Sequence, residues 1–172
     1  MRGSAGRRPL SGGYGRPVTR YSLIPAAYVY MVRDGRVLLQ LRRNTGYMDG
    51  FWTAGAAGHL EPGETAVQAA TRELSEELGL SVSASELVPS AVMQRTDGTS
   101  NPREQRVDWF FACASWSGEP SIMEPEKCAE LRWFDLTDLP PQIPAYERAA
   151  LVWLRENDSV GLLDVGFSLP RT

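Results

Sequence analysis

The chain has 172 residues, 42% of them hydrophobic and 23% charged, with a net charge of −3. That length suits one domain with a substantial core, and the acidic balance argues against a surface built to coat nucleic acid. Its only two cysteines, Cys113 and Cys128, give no disulfide framework and point to a reducing cytoplasm, and no apolar run reaches membrane-spanning length.

The first twenty residues, MRGSAGRRPLSGGYGRPVTR, are rich in Gly and Arg and contain no acid. Such a segment buries too little to offset its ordering entropy, which predicts a mobile basic tail ahead of a domain over 21–172. An organelle transit peptide and a basic arm gripping polyphosphate are two sharper readings of it. Next, LIPAAYVYMV, the RDGR turn and VLLQLRR predict a hairpin, with Asp34-Gly35 as its positive-φ pair. NTGYMDGFWTAGAAG is predicted to be a loop, and Thr65 to Gly79 a helix with a Thr65/Gln68 capping box and Gly79 just past its end. ELVPSAVMQR and QRVDWFFACASW read as strands, ELRWFDL as a short strand, TDLP as a helical turn stopped by Pro140 and Pro141, and PAYERAALVWLREN as a helix burying Ala150, Leu151 and Leu154. Strands interleaved with two helices predict an α/β fold with a mixed sheet.

The helix within GHLEPGETAVQAATRELSEELGL, residues 58–80, carries the chemistry. At 3.6 residues per turn Val67, Ala70, Leu74 and Leu78 form its core stripe. Glu73, Glu76 and Glu77 share another face within about 100°, with Ala66 and Ala69 further back. Like charges at this spacing cost about 0.2–0.5 kcal/mol per pair. Acids in the last turns also oppose the helix dipole by about 0.3–1 kcal/mol each. Stability alone would place Lys or Arg there, and Arg72 relieves only part of the repulsion. A solvated acidic face is the bland reading. A hard divalent cation such as Mg²⁺, which prefers oxygen ligands and is shared with substrate phosphates, accounts for all three acids at once.

The same stretch resembles the Nudix box in full: Gly58, Glu64 and then RELSEELGL, with Arg72, Glu73, Leu74, Glu76, Glu77, Gly79 and Leu80 at the family's defined positions. The flanking pattern extends the resemblance over about 22–158. It implies an α/β/α sandwich and a Mg²⁺- or Mn²⁺-dependent hydrolase that cleaves a diphosphate bond in a nucleoside diphosphate-linked, small-molecule substrate. By the same resemblance Glu73, Glu76 and Glu77 hold the cation, and Glu73 or Glu77 also acts as base. Arg72 orients Glu73 or its neighbours, and Glu64 and the Ala57 carbonyl are further ligands. An additional carboxylate is expected from Glu124 or Glu126. Arg42 or Arg43, whose side chains point to opposite faces, would contact substrate phosphates. Tyr47, Phe51 and Trp52 would either stack on a base or pack internally. Asp108 needs a partner among Arg95, Arg103 and Arg106, or else lines the substrate pocket. His59 is expected to be a hydrogen-bonding loop residue.

The loop before the box, TAGAAG, lacks the proline the family often carries there, which leaves the fit of substrate open. Pro89 lies too near the box to mark an ADP-ribose substrate, and signatures associated with coenzyme A substrates are missing, so nucleoside triphosphates are the default. Neither membrane nor nucleic acid is expected as a partner, and a homodimer is left open. Two alternatives remain: a Nudix-fold ligand-binding or regulatory module without turnover, and an isomerase of isoprenoid diphosphates. The second requires a catalytic cysteine and glutamate in contexts that neither Cys113 nor Cys128 supplies.

Overall fold

A computed structural model describes residues 21–167; the basic N-terminal segment lies outside the described residues. The hairpin forms as predicted from β1 (Ile24–Arg33) and β2 (Arg36–Arg42), joined through Asp34 and Gly35 at φ 52° and 72°. β1 has both faces buried. Ala27, Val29 and Met31 pack with α1 (Ala66–Leu78), and Ala26, Tyr28 and Tyr30 pack with α2 (Ala145–Glu156). This alternation makes the β1 sequence almost continuously apolar, and it gives two cores separated by one mixed sheet, an α/β/α sandwich.

Strand β1 also sets the site's position, because one of its edges forks. Along the other edge Ile24–Met31 pair in parallel with β6 (Arg106–Cys113). At the fork, Ala26–Val29 pair with β4 (Ala56–His59), while Met31–Arg33 pair with β2. β2 then runs on to pair with β3 (Trp52–Ala54) on one side and β7 (Cys128–Asp135) on the other. Beyond β6 the sheet continues through β5 (Leu87–Arg95) to β8 (Gly161–Val165).

The helix signals hold: Thr65 and Gln68 form a reciprocal capping box, and Gly79 ends α1 at φ 68°. Several expectations change. The stretch read as a loop contains β3 and β4, whose small residues Ala54 and Ala56 are fully buried. On α1 it is Ala69 that is completely buried while Val67 is half-buried, so the core face is turned toward β4. TDLP is a plain turn held by the Asp135 carboxylate accepting from Thr137, rather than a helical one. β8 was not anticipated. It docks because Gly161 has no side chain where the Trp153 ring lies; a Cβ there would stand 2.5 Å from that ring. Among the described residues no helix is long and apolar enough to cross a membrane.

Candidate active site

The three box glutamates sit in different environments. Glu73 is nearly buried, because the loss of a side chain at Gly58 lets its carboxylate lie against the β4 backbone. A Cβ at Gly58 would stand 1.8 Å from Glu73 Oε1, so the box glycine is a steric requirement of the box glutamate. Burial pushes the Glu73 carboxyl up, opposed by the Arg72 guanidinium beside it. Glu77 Oε2 accepts from the Ala57 amide at 2.8 Å and from Gln40 Nε2 at 3.2 Å. Burial nevertheless pushes its pKa up to about 7, against the lowering effect of the Ala57 hydrogen bond. Glu76 is exposed.

Arg72 is the local cation. Its Nε meets Glu64 Oε1 at 3.0 Å, and its Nη1 meets Glu73 Oε1 at 2.6 Å and Glu76 Oε2 at 3.1 Å. Nη2 donates to the His59 carbonyl at 3.0 Å. The guanidinium thereby ties the box loop to the helix and holds Glu64 below its usual range. Among the described residues, no three acidic, histidine or cysteine side chains close on one point.

Glu73, Glu76 and Glu77 nonetheless line a single cavity of about 500 Å³ together with Ala57, Gln40, Arg42, Glu124 and Lys127. The donor set fits a hard divalent cation: several carboxylates on one cavity beside the half-buried backbone of Ala57. Of the two loop glutamates it is Glu124 that faces this cavity, paired with Lys127 at 2.7 Å. Glu126 is exposed, and only its backbone carbonyl is engaged, by Asn44. The loop is placed by Ser121 and Met123, whose amides donate to the Leu78 and Glu77 carbonyls at the C-terminal end of α1.

A second cavity of about 550 Å³ shares Arg42 and Ala57 with the first. Arg42 thus stands at the junction, steadied by its Nε donating to the Tyr47 carbonyl at 3.0 Å. Arg43 turns away, as alternation requires, and donates to the Pro125 carbonyl from Nε and Nη2. Tyr47 and His59 line the second cavity. Trp52 lines neither; it is core, packed edge-on against Phe134 at 4.7 Å between ring centroids. Asp108 does not reach the cavity surface either. It is fully buried and bound by Arg95 Nε at 2.5 Å, with Arg106 Nε at 3.5 Å.

Sequence reasoning missed Gln40 and Glu147. Gln40 is a polar residue among the apolar residues of β2, and Glu147 falls on the stripe of α2 that carries Tyr146, Ala150 and Leu151, so each was marked by being polar where the pattern calls for apolar. Glu147 Oε2 accepts from the Ala54 amide at 2.6 Å, and complete burial pushes its pKa up to about 8.

The comparisons with known proteins agree with this geometry. The NUDIX domain family matches residues 22–154. A crystal structure of a MutT NUDIX hydrolase from Burkholderia pseudomallei superposes with a TM-score of 0.69 and 29% identity, covering 77% of this chain and 98% of that one. Among curated proteins, an isopentenyl-diphosphate Delta-isomerase of Cereibacter sphaeroides is 31% identical over 76% of this chain and 73% of its own length. An NAD-capped RNA hydrolase NudC of Stutzerimonas stutzeri is 27% identical over 77% of this chain but only 44% of its own length. With a complete box, the forked sheet and a family match across most of its length, the chain belongs to the NUDIX domain family.

Proposed function

We propose that the protein is a Nudix-type pyrophosphohydrolase, an acid anhydride hydrolase that cleaves a diphosphate bond in a nucleoside diphosphate-linked substrate. The observation that carries this reading is the convergence of Glu73, Glu76 and Glu77 on one cavity whose boundary with a second, organic-sized cavity is marked by Arg42 and Ala57. A diphosphate at that boundary would have carboxylates on one side, Arg42 beside it and the rest of the substrate in the second cavity.

Glu73, Glu76 and Glu77, with the Ala57 carbonyl and Glu64 or Glu124, would hold Mg²⁺ or Mn²⁺. When bound, such an ion lowers the pKa of its water and neutralises charge developing on phosphoryl oxygens. The remaining work belongs to the chain. Glu77, whose ordinary value is shifted toward 7, can accept a proton from the attacking water near neutral pH; Glu73 is the alternative base. Gln40 and the Ala57 amide fix the Glu77 carboxylate, which supplies orientation before the reaction begins. Arg72 holds Glu73 and Glu76 in register with the loop and offsets part of their charge.

The isomerase relatives raise a second reading. Against it, the thiols of Cys113 and Cys128 donate to the Ser115 and Glu130 carbonyls, burial pushes both up, and neither lines either cavity. The second cavity is also lined by arginines, which suit an isoprenoid tail poorly. The test is a panel of nucleoside triphosphates, dinucleotides, nucleotide sugars and isopentenyl diphosphate with Mg²⁺ in ¹⁸O-water, with products weighed by mass spectrometry. Label in one phosphate product supports water attack on phosphorus. Intact diphosphate with a moved double bond would replace the hydrolase by the isomerase.

A further inference from the structure

The second cavity is more cationic than a diphosphate at its mouth needs. Arg95, Arg103 and Arg106 line it in addition to Arg42. Against them stand Glu104 and Glu147 on the lining, Glu147 pushed toward its neutral form by burial, and behind the lining Asp108, which Arg95 already holds. Arg95 is further occupied by stacking over Tyr146, its Cζ 3.9 Å from the ring centroid. Arg106 has only the 3.5 Å approach to Asp108, and its Nε is buried without a hydrogen-bond partner among the described residues. Arg103 is exposed at the rim and has no ion pair among the described residues. Deeper in the same cavity, Thr53 Oγ1 and Glu147 Oε1 are also buried without partners. Orphaned polar atoms are costly, and Thr53 Oγ1 and Glu147 Oε1, both on the lining of one space, point to a polar occupant, whereas Arg106 Nε and Asp108 Oδ1 face each other at 3.5 Å behind it.

The sheet register gives the spacing. Ala57, at the boundary with the carboxylate cavity, pairs with Tyr28, Asp108 pairs with Ala26, and Arg106 pairs with both Ile24 and Arg95. At ~3.3 Å per residue the Arg95/Arg106 row, four residues along β1 from Tyr28, lies about 13 Å along the sheet from the diphosphate position. We infer that the substrate carries a second anion, a phosphomonoester or a carboxylate, on the group beyond the scissile diphosphate, and that Arg103 and Arg106 bind it. A polar, hydroxyl- or amide-bearing spacer between the two anions would meet Thr53 and Glu147. A simple nucleoside triphosphate has no anion in that place. The inference rests on the hydrolase reading for where the diphosphate sits.

The test uses two pairs of compounds, each differing in one distal anion: NAD against NADP, which adds a 2′-phosphate, and UDP-glucose against UDP-glucuronate, which adds a carboxylate. Hydrolysis of all four is measured with Mg²⁺, and their binding is measured by calorimetry under the same conditions. The wild-type protein should favour the anion-bearing member of at least one pair by about tenfold or more, mainly in KM and Kd. The pair that shows it identifies phosphate or carboxylate. In Arg106→Gln and in the milder rim variant Arg103→Gln the ratio should fall toward one; because it is a ratio within one preparation, partial unfolding does not move it. A preference in binding without turnover would retain the anion site and remove the hydrolase reading instead. Ratios near one in the wild type, a preference that survives both substitutions together, or binding of none of the four would overturn the inference.

Discussion

The two faces of the forked sheet each hold a glutamate away from water, and they solve the problem differently. On the α1 side Glu77 has two donors, Gln40 and the Ala57 amide, and opens onto a cavity with other carboxylates. On the α2 side Glu147 is completely buried, has one donor on Oε2 and leaves Oε1 without a partner. Burial raises both, to about 7 and about 8. The difference lies in what each can do at neutral pH. Near pH 7 Glu77 exchanges its proton with solvent, so a bound cation could displace it, whereas burial holds Glu147 further toward its protonated form on the lining of the second cavity.

The largest effect should come from Glu77→Gln. On the proposed mechanism it removes a ligand and a base while keeping the shape of a side chain that burial has already made half neutral, so turnover should fall by about a hundredfold or more with thermal stability unchanged or raised. Equal turnover would transfer the role to Glu73. Gly58→Ala comes next: the added methyl enters the space of the Glu73 carboxylate, and kcat should fall while the melting temperature drops by an amount equivalent to about 1–3 kcal/mol. Gln40→Leu leaves the ligands in place but removes a donor that orients Glu77, so the metal concentration for half-maximal activity should rise about tenfold. An unchanged metal dependence would reduce Gln40 to packing.

The smallest predicted effect concerns Glu147 and pH. Its folded value near 8 lies above the ordinary 4.5, so the folded state binds the extra proton. The stability associated with that proton is fully present below about pH 4.5 and is lost as pH rises through about 8. Glu147→Gln, which keeps an acceptor for the Ala54 amide, should flatten the decline in melting temperature over this window. Glu77→Gln should flatten only the part that ends near pH 7. Identical slopes in wild type and both variants would break the comparison.

The site's two halves were not equally legible in the sequence. Everything that depends on one contiguous stretch, the capping box, the Gly79 terminus, the crowding of Glu73, Glu76 and Glu77 and the position of Arg72, follows from helical periodicity and the box. What depends on strand pairing over long separations did not. The tie between Gln40 and Glu77 and that between Ala54 and Glu147 are set by how the sheet forks at β1. β3 and β4 were read as loop because three or four small residues with flanking glycines carry no alternation, although close contact with α1 requires small residues there. The sequence leaves Trp52 between stacking on a substrate base and packing internally, because an aromatic next to a glycine-rich loop suits both; its burial against Phe134 is a tertiary outcome. Glu124 was separable from Glu126 only once the loop was seen crossing the end of α1.

The central claim is that the acids on the last turns of α1 are gathered to hold a divalent cation. Mn²⁺ binding to the full chain at pH 8, followed by electron paramagnetic resonance and competed with Mg²⁺, tests it most directly. The wild type should show a saturable site that Mg²⁺ displaces, weakened at pH 6 as protons return to Glu77, and absent when Glu73 and Glu77 are both changed to Gln. Isotherms that are the same in the wild type and the double variant would contradict it.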